Sequence, residues 1–284
     1  MNQPPLIIAF IGDLMLVPQI EQAATNLGCA LRWVESTAQI ADSAPAAARR
    51  TLGEPLHGLE GILLNQITRR PPVLLLFDLS NAHIPWQTWL PILKTSPATR
   101  RIPIVCYGPH VRADWLQQAQ TAGADAVLPR SRFVRTLPQI LQQHIQPRDS
   151  VALDTACEQP LAERAIHGLQ LLAAGAYFEA HEELEIAWQQ DPTPARELYR
   201  AILQIAVAYL HIQRGNYNGA VKMLLRVRQW VAPLPDECRG VDVAQLRHNA
   251  EILYQHLTQF GAQNLHQLDT RLLKPVVWKK QAAG

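Results

Sequence analysis

The chain is short of cysteine, of long apolar runs, of low-complexity sequence and of any excess charge, and each shortage removes a class of protein. It has four cysteines in 284 residues: Cys29, Cys106, Cys157 and Cys238. None sits in a CxxC cluster, so no structural zinc motif is expected. A scattered set of this kind is read as thiols in a reducing compartment, with a cytoplasmic location. No apolar stretch reaches the roughly 18 residues of a spanning helix. The N-terminus has no basic segment ahead of its short apolar run, so no secretory signal is expected. The formal charge is +2. Residues 1–147 hold 12 basic and 9 acidic side chains and the remainder 14 and 15, so neither half is an electrostatic arm for nucleic acid or anionic lipid. Arg226, Arg228 and Arg239 cluster in sequence, but no helix-turn-helix accompanies them.

What remains is a globular composition, 48% apolar and 18% charged, long enough for two cores. Four apolar runs, at 6–11, 31–34, 73–77 and 104–107, and a weaker one at 126–128, read as strands buried on both faces. Helix-like stretches at 15–27, 57–69, 86–94, 111–122 and 133–144 alternate with them. This order predicts a flavodoxin-like, doubly wound α/β fold over 1–147. Residues 41–55 are rich in Pro and Ala and read as an irregular loop in the second crossover.

In such sheets the working site lies beyond the carboxyl ends of the strands. Asp13, Asp78 and Arg130 fall there. A central carboxylate beside a second acid and a fixed cation suits acyl-phosphate chemistry with Mg²⁺. On these residues, positions 5–145 resemble a response-regulator receiver domain. The resemblance implies Asp78 as phosphoacceptor, Asp13 as one of an acidic pair that with Asp78 holds Mg²⁺, and Arg130 at the place of the lysine. It also exposes departures. Gly12 stands where the other acid is expected, and Gly108 where a hydroxyl residue follows strand four. Arginine keeps the charge of lysine with a different reach. A receiver scaffold that docks partners without the chemistry is therefore weighed against a phosphorylated switch.

Residues 148–160 are polar and end in proline, and read as a linker. From 161 to 284 the strand signal disappears. Helices are expected at 161–173, 177–190, 195–214, 217–231 and 243–260, with one more at 265–273, joined by short connections into an antiparallel bundle.

The second of these helices carries Phe178-Glu179-Ala180-His181-Glu182-Glu183-Leu184-Glu185-Ile186-Ala187-Trp188. At about 100° per residue, His181, Glu185 and Trp188 share a face with Leu184 that should look inward, with Glu182 at its border and Glu183 toward solvent. Gln204 and His211, two turns apart on the next helix, are placed to meet them. His181 and Glu185 at i, i+4 can share a metal ion, with His211 a further ligand, or His181 with Glu182 or Glu185 can form an acid–base pair. The zinc-peptidase pattern HExxH is absent, because Glu185 stands at its second histidine. A hydrogen-bonded network that fixes helix register is the structural alternative.

Together with Leu203 to His211, Gly215-Asn216, Gly219-Ala220 and Leu224-Leu225, this motif makes residues 163–232 resemble the family catalogued as domain of unknown function 309. Ala201 departs from it, where the family often has glycine. The resemblance implies no activity; it implies that His181, Glu182, Glu185, Trp188, Gln204 and His211 form one constellation. The expectation is a regulatory protein in which the receiver-like domain docks or controls a helical domain that binds a small molecule or protein, the chain itself self-associating or not. The rivals are a metal-dependent, hydrolase-like enzyme using His181 and Glu185, and an adaptor without ligand. No nucleic acid and no membrane partner is expected.

Overall fold

The computed structural model describes residues 4–40, 58–145 and 150–279. They fall into two compact units that divide between Pro147 and Arg148. The loop expected over 41–55 lies outside the described residues.

The first unit contains β1 (Leu6–Phe10), α1 (Val17–Asn26), β2 (Ala30–Val34), α2 (Gly58–Arg69), β3 (Leu74–Asp78) and α3 (Trp86–Thr95). It continues with β4 (Ile104–Gly108), α4 (Ala113–Thr121), β5 (Ala126–Pro129), α5 (Arg130–Arg135) and α6 (Leu137–His144). All five strands are parallel, in the order β2-β1-β3-β4-β5. That is the flavodoxin-like order, shared by receivers. The two-residue period of each strand divides its side chains between two cores. Ile8, Phe10, Leu75, Phe77 and Cys106 pack under α2 to α4, while Ile7, Ala9, Leu76, Val105 and Tyr107 pack under α1, α5 and α6. The single helix expected over 133–144 is two helices. Pro138 has no N–H to continue the ladder, and the chain restarts after Thr136.

The second unit holds α7 (Ser150–Glu158), α8 (Glu163–Ala173), α9 (Tyr177–Gln190), α10 (Arg196–Gln213), α11 (Tyr217–Val231) and α12 (Val243–Phe260). A small hairpin, β6 (Glu237–Cys238) with β7 (Val241–Asp242), precedes α12. Leu169, Leu184, Ile202, Ile205, Leu224 and Leu253 lie in its core. Gly168 allows α8 and α9 to approach, since a Cβ there would stand 2.7 Å from Leu184 Cγ.

Three expectations for this half are corrected. The stretch read as linker carries α7, and its Ala156 and Cys157 are buried in the helical core. Cys157 and Cys238 are joined as a disulfide across 81 residues, with Cα atoms 4.4 Å apart, so the reading of four thiols fails for this pair. Such a pairing is set by tertiary packing, which sequence spacing does not show. Cys29 and Cys106 are buried thiols, and burial raises the pKa of both. The tail contains 3-10 turns at Ala262–Gln267 and Thr270–Leu272 instead of one more α-helix. Among the described residues no helix is long and apolar enough to cross a membrane.

Candidate functional site

The sheet brings Asp13, Asp78 and Arg130 to the carboxyl ends of β1, β3 and β5, and then commits each of them locally. Asp78 is 2% exposed. Its Oδ1 accepts the Ser80 hydroxyl and, at 2.9 Å, the Ser80 backbone N–H, closing the turn after β3. Asp13 accepts the Met15 N–H at 2.9 Å through one oxygen, and its other oxygen is ion-paired with Arg130. The cation at the lysine position therefore serves Asp13.

The two glycine departures are filled spaces. A Cβ on Gly12 would lie 3.1 Å from Asn81 Cγ. Asn81 is itself buried, donating to Glu35 O at 2.9 Å and accepting from the His83 N–H at 3.0 Å. A Cβ on Gly108 would lie 3.2 Å from Leu79 Cβ. Next to Asp78 in register is Tyr107, whose buried hydroxyl makes no hydrogen bond. Burial, and then the Asp78 carboxylate, raise its pKa. These residues do not fit the Mg²⁺ site that the receiver resemblance implies: position 12 offers no ligand and both Asp13 oxygens are engaged. Among the described residues no three His, Cys, Asp or Glu side chains group as a metal ion requires.

In the helical unit the constellation is spread along a seam. The inward line of α9 is Ala180, Leu184 and Ala187. His181, Glu185 and Trp188 flank it, partly exposed, because the buried stripe runs one residue earlier than expected. His181 Nε2 lies 3.9 Å from Glu185 Oε2. Glu182 is exposed. Glu183, expected in solvent, turns to α8 and accepts from Arg164 at 2.9 and 3.1 Å. Hydrogen bonding to Arg164 comes first among the causes that hold its carboxyl below the usual range.

Helices α9 and α10 run antiparallel, with Tyr177 against Tyr209 near one end and Trp188 against Arg200 near the other. This register sets Gln204 level with Glu182, between His181 and Glu185. Gln204 is 6% exposed and its Oε1 accepts no hydrogen bond. No hydrogen bond or ion pair links Gln204 or His211 to His181 or Glu185, so the four do not form one bonded network. His211 instead belongs to the α10–α11 turn. Asn216 donates to its Nδ1 at 3.1 Å and caps α11 by accepting from Gly219 N at 2.9 Å. A Cβ on Gly219 would meet His211 Nδ1 at 2.6 Å, which explains the glycine. Burial, then Arg214, lower the His211 pKa, consistent with a neutral ring that accepts at Nδ1.

The sequence reading missed a second buried cluster. Arg239, 5% exposed, pairs with Asp191 at 2.7 Å and donates to Thr193 Oγ1 and Tyr199 Oη. Tyr199 Oη also accepts the Ala162 N–H at 3.1 Å. Arg239 is a non-glycine residue at φ 53°, a strained conformation held by this packing. The grouping with Arg226 and Arg228 concealed it, because a basic residue gives no sequence signal of facing inward.

Residues 165–223 match the family model described as Domain of unknown function (DUF309). The uncharacterized protein YpuF of Bacillus subtilis (strain 168) is 31% identical over 90 residues, which is 30% of this chain and 51% of that protein. The chain therefore spans about half the length of that relative. Among solved structures, the phosphorylated cyanobacterial phytochrome response regulator RcpA is 16% identical, covering 50% of this chain and 91% of that one, with a TM-score of 0.37. A putative response regulator from Chloroflexus aurantiacus J-10-fl is 16% identical over 50% of this chain and 98% of its own, with a TM-score of 0.38. A CheY-like receiver domain protein from Methanospirillum hungatei JF-1 is 14% identical over 50% and 94%, with a TM-score of 0.36.

Proposed function

We propose that this chain is a regulatory protein whose receiver-like unit serves as a docking scaffold and does not accept phosphate, while its helical unit binds a small molecule or partner segment along the α9–α10 seam. The observation that carries the first half is the internal use of the receiver site. Arg130 is taken by Asp13, Asp78 Oδ1 by Ser80, and the places of the missing acid and hydroxyl face Asn81 and Leu79. Acyl-phosphate formation needs a reachable carboxylate, a metal and a free cation; here Asp78 is buried, the residues around it do not fit the metal, and the cation is paired with Asp13. The second half is supported by Gln204, a buried acceptor without a donor on the helix packed against α9, whose own face carries the partly exposed His181 and Glu185. A buried polar atom left without a partner costs about 1–3 kcal/mol, so an incoming donor would recover it.

The test is incubation of the full chain with acetyl phosphate and Mg²⁺, read by intact mass. No hydroxylamine-labile phosphoryl adduct is expected. An adduct that disappears in Asp78→Asn would overturn the scaffold reading.

A further inference from the structure

Cys157 ties α7 to the helical core twice. The disulfide joins it to Cys238 in the β6–β7 hairpin, and its carbonyl accepts the Arg239 N–H at 2.6 Å. The residue that makes this second tie is the one held at φ 53°. Its side chain is committed to Asp191, Thr193 and Tyr199, and Tyr199 Oη in turn accepts the Ala162 N–H just beyond α7. Both ends of the turn after α7 thus hang on one buried cluster, and the disulfide is the member of it that a change of redox state can break.

The helix itself brings little else to the core. It is nine residues long. Among its described side chains Ala156 and Cys157 are buried, and Leu153 is half-buried against the core. Val151, Asp154, Thr155 and Glu158 are exposed. A helix of fewer than about 12 residues is marginal in water without packing, so α7 unfastened from Cys238 should not persist. The larger core side chains, among them Leu169, Leu184, Ile202, Leu224 and Leu253, lie on α8 to α12. Cys29 and Cys106 are free thiols buried in the first unit, so the redox-responsive bond of the described chain is the one at α7. Helix α7 is also the first element after the division at Pro147 and Arg148.

We propose that Cys157 and Cys238 form a reversible redox switch that fastens α7 when oxidised and releases it when reduced. The reductant is a dithiol. One of its thiolates attacks Cys157 Sγ, the S–S bond breaks, and Cys238 leaves as a thiolate that takes up a proton. The second thiolate of the reductant then displaces Cys157 from the mixed disulfide, and Cys157 is protonated in turn. The protein gains two electrons and two protons, and the reductant leaves as its cyclic disulfide. A small-molecule disulfide reverses the exchange. Access comes through local opening of α7, since Cys157 is 8% exposed and Cys238 fully buried. Release turns the segment that leads out of the first unit into free chain and uncovers the core surface beneath Ala156. The switch stands apart from the α9–α10 seam and does not rest on the function proposed above.

Hydrogen–deuterium exchange of the full chain, oxidised with glutathione disulfide and then reduced with dithiothreitol, tests it. Alkylation after denaturation should count two thiols in the first state and four in the second. Reduction should speed exchange across 151–162 by about tenfold or more, as local opening implies, and leave α8 to α12 protected. The Arg239 amide should lose protection together with that segment. Reoxidation should restore both. Cys157→Ser should show the reduced pattern without any reductant, and dithiothreitol should change it no further. Four results would overturn the proposal. The bond could fail to form or resist dithiothreitol. Exchange across 151–162 could stay unchanged on reduction or in Cys157→Ser. Protection could fail to return on reoxidation. Protection could be lost throughout α8 to α12, which would make the disulfide a staple of the whole unit and no switch.

Discussion

The carboxyl edge of the sheet and the seam between α9 and α10 treat most of their polar side chains differently, although the Tyr107 hydroxyl at the sheet edge is also buried without a partner. At the sheet edge, both oxygens of Asp13, one oxygen of Asp78, the Arg130 cation and the Asn81 amide have partners inside the unit. Along the seam, Gln204 Oε1, Trp188 Nε1 and Arg196 Nε are buried and have none. The first region keeps two of the carboxylates that the receiver resemblance implies, and each has a partner inside the unit. The second has no recognised chemistry, yet it keeps groups unsatisfied, and native proteins do that seldom. The contrast teaches that residue identity at a familiar position is a weaker guide to function than what each atom is bonded to.

The comparison can be sharpened first within the helical unit, where an engaged and an unengaged arginine stand on the same fold. Arg239→Ala leaves Asp191 as a buried charge without its partner, and should cost about 3–5 kcal/mol. Arg196→Ala removes no ion pair and should cost far less. Urea unfolding of both variants measures the gap; equal losses would break the distinction.

A smaller effect is expected at the sheet edge. Gly12→Asp restores the missing acid, but its Cβ presses on an Asn81 held by two hydrogen bonds. It should lower stability by about 1–3 kcal/mol, with relief in the double variant Gly12→Asp with Asn81→Ala. Thermal melts decide this, and a single variant as stable as the native chain would show that the position is open.

The smallest effect is pH-dependent. The His211 pKa is lowered from its ordinary value of 6.5, chiefly by burial and then by Arg214. The unfolded chain therefore binds the proton more readily than the folded one. Stability should be full above pH 6.5 and decline as pH falls from there through the folded-state value. His211→Gln should flatten that decline. Denaturation midpoints at several pH values between 8 and 5 check the slope.

Much of this architecture was legible in the sequence. Doubly buried strands appear as unbroken apolar runs, and the 3.6-residue period placed α8 to α12 to within a few residues. The failures have physical causes. Helix α7 is short, and its exposed side chains include Asp154, Thr155 and Glu158 just ahead of a proline, so composition alone reads as linker. The disulfide and the Asp191–Arg239 pair join residues 81 and 48 positions apart, and no local pattern announces them. In the candidate sites, periodicity gave the face shared by His181, Glu185 and Trp188 but misjudged its depth. The core line is Ala180-Leu184-Ala187, because small residues there let the helices close. It also could not show that His211 is bound by its own turn, or that Asn81 and Leu79 face the two glycines.

Hydrogen–deuterium exchange of the full chain, with and without Mg²⁺ and beryllofluoride, asks most directly whether the receiver-like edge is closed to a phosphoryl group. No change is expected at the ends of β1, β3 and β5 with this phosphoryl mimic. Added protection around Asp78 and Arg130 would overturn the scaffold reading.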